Sequence, residues 1–152
     1  MKRVLVKSVY DAFDYVLEHY YPVGLEEFAQ RRDRYAVISI QDTHTQGFGF
    51  QFTKNGSCDD VLTLFFDDID RAVDGAVLFS SEQAAEIIAF IRKNRGTETL
   101  LVHCYGGESR SRAVGAFAME LLGGSSKNLL ESGHANLHVY RTLKSVYEGS
   151  GD

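Results

Sequence analysis

Thr99-Leu100-Leu101-Val102-His103-Cys104-Tyr105-Gly106-Gly107-Glu108-Ser109-Arg110-Ser111 organises the reading of the whole chain. The run Thr99 to His103 has the length and apolar content of a buried central strand. Beyond Arg110, Ala113-Val114-Gly115-Ala116-Phe117-Ala118-Met119 reads as a buried helix rich in small residues. A strand, a glycine-containing loop and a helix N-terminus, in that order, bring several backbone N–H groups to one point above the positive end of the helix dipole. The expected product is an anion pocket.

Outward from this stretch, short runs rich in valine and isoleucine alternate with segments of helical periodicity, the pattern of a sheet flanked by helices. Strands are expected at Val4–Ser8, Tyr35–Ile40, Phe48–Phe52, Val61–Phe66 and Thr99–His103, with Asn55-Gly56 as a hairpin turn before the fourth. Helices are expected at Tyr10–Tyr20, Gly24–Arg32, Ser81–Arg95, Arg110–Leu122 and Ala135–Tyr147. Ser80 or Ser81 supplies a cap for the third, Gly96 its end, and Gly123-Gly124 the end of the fourth. The expectation is an α/β fold, a central mostly parallel sheet of about four to five strands in one domain spanning residues 1–152.

Cysteine at the start of an anion loop has its thiolate favoured by the surrounding N–H groups and the helix dipole. Arg110 closes the loop with a planar guanidinium, whose paired donors fit two oxygens of a phosphoryl group. Attack of the Cys104 thiolate on phosphorus would give a phosphocysteine. His103, Tyr105, Gly106, Gly107, Glu108, Ser109 and Arg110 are the expected phosphate-binding residues.

These residues resemble the HCxxGxxR[ST] signature of the protein tyrosine phosphatase superfamily at His103, Cys104, Gly107, Arg110 and Ser111. The chain is most similar in kind to its compact dual-specificity-like and bacterial-type members. The resemblance implies that His103 helps hold the loop and that the Ser111 hydroxyl assists departure of the thiolate when the intermediate is hydrolysed. It also implies a proton donor on a separate upstream loop. Asp67, Asp68 and Asp70 follow the expected strand Val61–Phe66 at the end where ligands gather in open α/β sheets. In relatives of this kind one variable residue separates the strand's aromatic end from the acid, which points to Asp68 with Asp67 as the alternative. Asp42, after the strand Tyr35–Ile40, could border the same pocket. Glu108 departs from family loops, which tend to carry an apolar or basic side chain there, and the lysines of phosphoinositide-selective relatives are missing. Tyr105 could stack on an aromatic substrate.

Composition narrows the partners. The chain has 152 residues, 44% apolar and 24% charged, with a net charge of −5 and 16 scattered basic residues, which argues against nucleic acid or an anionic membrane as main partner. Apolar stretches such as Val61–Phe66 fall short of the roughly 18 to 20 residues that span a bilayer. The opening Met1-Lys2-Arg3 leads into a short strand rather than an apolar signal core, so a cytoplasmic monomer is expected. Cys58, in what reads as a polar turn, and Cys104 are too few for a disulfide framework and lack metal spacing, which leaves a free reactive thiol. No cofactor or metal is expected. A phosphorylated protein or small phosphomonoester is the expected substrate. The rival readings are a rhodanese-like sulfurtransferase, which also starts an anion loop with cysteine, and a non-catalytic phospho-binding module.

Overall fold

The computed structural model describes residues 1–20, 34–43, 52–54, 57–131 and 133–149. In chain order its elements are β1 (Arg3–Ser8), α1 (Val9–Tyr20), β2 (Tyr35–Gln41), β3 (Cys58–Phe65), α2 (Ser81–Lys93), β4 (Thr99–Cys104), α3 (Arg110–Leu121), α4 (Lys127–Glu131) and α5 (Leu137–Gly149). The four strands form one parallel sheet in the order β1-β4-β2-β3. The expected helix Gly24–Arg32, most of the expected strand Phe48–Phe52 and the Asn55-Gly56 turn lie outside the described residues.

Strand alternation sorts the core into two layers. Ala36, Ile38 and Ile40 of β2 and Leu100, Val102 and Cys104 of β4 belong to the larger cluster, packed with Ile87 and Ile91 of α2, Phe117 of α3 and Leu143 of α5. Tyr35, Val37 and Leu101 belong to the smaller one, with Ala12, Val16 and Tyr20 of α1. Because β2 and β4 are covered on both faces, they read as nearly continuous apolar runs. Ser39, Gln41, Thr99 and His103 are the polar interruptions on the smaller side, and all four are buried.

Helix termini follow local chemistry. Ser80 caps α2 in a reciprocal capping box with Gln83, its hydroxyl accepting from the Gln83 N–H at 3.1 Å. That helix stops at Lys93, with Asn94 as its cap and Gly96 two residues further on, because the Asn94 N–H and side chain are taken up by carbonyls of the last turn. Gly123 ends α3 in a left-handed conformation, φ 86°.

Cys58 is corrected from a turn residue to the first residue of β3. It is buried in the smaller cluster, and its thiol donates to the Asp60 carbonyl at 3.6 Å. The five-residue α4 was not expected, since one turn is too short to show a hydrophobic period. Among the described residues no helix is long and apolar enough to cross a membrane.

Candidate functional site

The site is assembled where β4 ends. Cys104 is the last residue of that strand and is buried. Its Sγ accepts a hydrogen bond from the Gly107 N–H at 3.2 Å and lies 3.1 Å from Ser111 Oγ. The loop turns through a φ of 73° at Gly107, where a Cβ would run into the backbone of Lys7 and Ser8. Only glycine lets the chain pass so close to β1 and still return to α3. The Val9 N–H donates to the Tyr105 carbonyl at 3.1 Å, which fastens the loop to the start of α1. The Tyr105 ring is exposed and meets Tyr10 edge to face at 6.3 Å.

His103 works from behind the loop. Parallel pairing sets it opposite Ser39, whose hydroxyl is 2.7 Å from its Nε2, while its Nδ1 is 3.3 Å from the Cys104 carbonyl. The Gln41 amide donates in turn to Ser39 at 2.8 Å. Burial first, and then the positive charge of Arg110, push the His103 imidazole down to about 4. It is therefore neutral near pH 7. The expectation that His103 contacts phosphate is corrected in placement: its ring is fully buried on the α1 side of the sheet and does not line the cavity, because successive strand residues point to opposite faces.

Arg110 opens α3 and is buried. Its Nη1 donates to the Phe66 carbonyl at 2.8 Å and pairs with the Asp42 carboxylate at 2.8 Å. Its Nε–H is buried with no hydrogen-bond acceptor among the described residues, as is that of Arg112.

The three aspartates have separate fates. Asp67 is held at the root of its loop, accepting from the Thr43 hydroxyl at 2.7 and 2.8 Å and from the Val77 N–H at 2.8 Å. Asp68 is exposed, and its Oδ1 accepts from Ser109 Oγ at 2.7 Å and from Asn136 Nδ2 at 2.9 Å. Ser109 stands at the N-cap position of α3 but makes no side-chain cap, since its hydroxyl is spent on Asp68. Asp70 pairs with Arg71 at 3.4 Å, both side chains in solvent.

Cys104, Gly106, Glu108, Ser109, Arg110, Asp68 and His134 line one cavity of about 380 Å³. Of the acidic candidates on the upstream loop, Asp68 alone lines it. A sulfur, a guanidinium and backbone N–H groups around one opening can hold a tetrahedral oxyanion, with a carboxyl group at the edge. Asn136, Ser39 and Gln41 were not expected in the site. Asn136 could have been suspected, because asparagine before a helical period is a capping signal, and its Oδ1 does accept from the Val139 N–H at 3.1 Å. Ser39 and Gln41 carry no such signal, since their partners are set by strand register.

No family model matches the chain, and no curated protein matches it. Solved structures do. PTPMT1 in complex with PI(5)P superposes with a TM-score of 0.54 at 15% identity, covering 97% of this chain and 91% of that one. The human tyrosine phosphatase-like serine/threonine/tyrosine-interacting protein gives 0.53 at 19% identity, covering 90% and 87%. The likeness runs over nearly the whole chain, and the chain has the α/β fold of the tyrosine and dual-specificity phosphatases.

Proposed function

We propose that the protein is a cysteine-dependent phosphomonoester hydrolase working through a phosphocysteine at Cys104. The observation that carries the proposal is the shared cavity, in which the Cys104 sulfur, 3.2 Å from the Gly107 N–H and 3.1 Å from Ser111 Oγ, stands with Arg110 and Asp68. A guanidinium beside a sulfur and loop N–H groups matches the oxygens of a phosphoryl group.

In the first step the Cys104 thiolate attacks phosphorus, the ester P–O bond breaks, and Asp68 gives its proton to the leaving oxygen. In the second, Asp68 takes a proton from water, the water oxygen bonds to phosphorus, and the P–S bond breaks. Ser111 Oγ, 3.1 Å from Sγ, donates to the departing thiolate. Backbone N–H groups from Tyr105 to Arg110 and the Arg110 fork hold the equatorial oxygens as charge spreads over them. Asp42 positions the fork through Nη1, and neutral His103 holds the loop. The substrate is a phosphorylated protein or a small phosphomonoester. The PI(5)P seen with PTPMT1 is a poorer model, since residues Tyr105 to Ser109 bring Glu108 and no lysine to the cavity. Two free cysteines and a thiol nucleophile suit a reducing, cytoplasmic setting.

The test is hydrolysis of p-nitrophenyl phosphate in chelator, with acid-quenched protein examined by mass spectrometry for phosphate on Cys104. Turnover that vanishes in Cys104→Ser is expected. Unimpaired turnover in that variant would overturn the mechanism. Phosphopeptide binding without turnover would replace the enzyme with a binding module, and sulfur transfer from thiosulfate without phosphatase activity would replace it with a sulfurtransferase.

A further inference from the structure

A second, larger cavity of about 780 Å³ adjoins the first and shares Asp68, Ser109 and His134 with it. Its walls come from the loop after β3 and from the first turns of α5. Arg71 and Arg141 line it from these two sides, as do the half-exposed apolar side chains Val73 and Leu137. Arg141 has no carboxylate partner among the described residues. The pair between Arg71 and Asp70 is open to water on both sides, so it is worth about 0–1 kcal/mol and is readily exchanged. Arg71 and Arg141 share this lobe with Asp68 and Asp70, so the lobe is charge-balanced on a chain whose net charge is −5. The volume lies within the range of sites that enclose a ligand and exceeds what one phosphoryl group fills.

Resting on the phosphatase reading above, we propose that this lobe is a substrate subsite that takes an acidic side chain near the phosphorylated residue of a peptide. Arginine forks match carboxylates in paired geometry, and Val73 and Leu137 cover the apolar stem or a flanking apolar residue. Asp68 and Asp70 also line the lobe, so it is matched to one added anionic group and not to a polyphosphorylated ring. Asp68, on the shared wall, puts the proton donor between the two cavities. An extended peptide laid from one to the other would pass it with the leaving oxygen.

The experiment compares p-nitrophenyl phosphate with phosphotyrosine peptides whose flanking residues are alanine, glutamate or a second phosphoserine, in the natural protein and in R71Q/R141Q. In the natural protein kcat/KM is expected to rise about tenfold with glutamate flanks, on the scale of one charge-assisted contact. The double variant should lose that preference, yet hydrolyse p-nitrophenyl phosphate within about twofold of the natural rate. A preference that survives in the double variant, or p-nitrophenyl phosphate turnover that falls in parallel, would overturn the subsite. So would hydrolysis of a phosphoinositide, with no peptide preference, that depends on the two arginines. The glutamate and phosphoserine peptides separate a carboxylate subsite from one for a second phosphoryl group. Fluorescent versions of the same peptides bound to Cys104→Ser keep the two proposals apart: discrimination in that binding, with no turnover by the natural protein, leaves the subsite standing and removes the phosphatase, and equal binding of all peptides removes the subsite.

Discussion

Cys58 and Cys104 are equally buried at opposite ends of one parallel sheet, the first opening β3 and the second closing β4. Burial pushes the Cys58 thiol up to about 11, and the nearby carboxylates of Asp59 and Asp60 push in the same direction, against hydrogen bonds from Tyr35 and to the Asp60 backbone. Cys104 instead has an amide N–H, a serine hydroxyl and the first turn of α3 around its sulfur. Residue type and burial are therefore poor guides to reactivity. The end of the strand matters, because in a parallel sheet the C-terminal ends meet helix N-termini and their unpaired N–H groups.

Replacing each sulfur would break this comparison most severely. Cys104→Ser should lose phosphatase turnover to background, a loss on the order of 10⁶-fold if the nucleophile behaves as in other covalent enzymes. The two neighbouring aspartates sharpen it next. Asp68→Asn should lower kcat by about 10²- to 10⁴-fold for poor leaving groups, and much less for p-nitrophenol, which needs little protonation. Asp67→Asn should act chiefly on stability, read as a lower thermal midpoint, because its carboxylate binds Thr43 and Val77. If Asp67→Asn shows the leaving-group dependence instead, the proton donor is the other residue. Arg110→Lys should cost about 10²- to 10³-fold in kcat, since a point charge replaces a fork.

Behind the loop, His103 is neutral in the folded protein, pushed down to about 4 from an ordinary 6.5. The unfolded chain therefore binds a proton that the folded one does not between about pH 6.5 and pH 4, and stability falls as pH falls through that window. The loss is on the order of 3 kcal/mol in all. Thermal midpoints measured from pH 7.5 to 4 should show it, and His103→Gln should flatten the slope in that window. The smallest effect belongs to the other sulfur. Cys58→Ala should leave kcat/KM within about twofold, as expected of a residue outside the cavity, and an alkylating agent should label Cys104 in the native protein but Cys58 only on unfolding.

Much of this arrangement could be read from local sequence. Valine- and isoleucine-rich runs alternating with helical periods predict the α/β class, and four of the expected strands are present with ends shifted by three residues or fewer. The motif from His103 to Ser111 predicts which strand, loop and helix frame the site. Cys58 was misread because polar neighbours such as Asn55, Gly56 and Asp59 look like a turn, whereas pairing with β2 draws the strand back to it.

Other features depend on contacts between distant parts of the chain. Local pattern cannot separate Asp67 from Asp68, which share composition and sequence neighbours; Thr43 and Val77 bury one carboxylate, and Ser109 and Asn136 hold the other at the cavity. Likewise the link from Ser39 to His103 needs the register of two strands, and the link from Asp42 to Arg110 needs two loops at one sheet end. Backbone conformation follows from neighbours in sequence, since sterics and periodicity act over a few residues. Side-chain partnerships here span 10 to 68 residues, and only the packed sheet with its helices brings them within hydrogen-bonding distance.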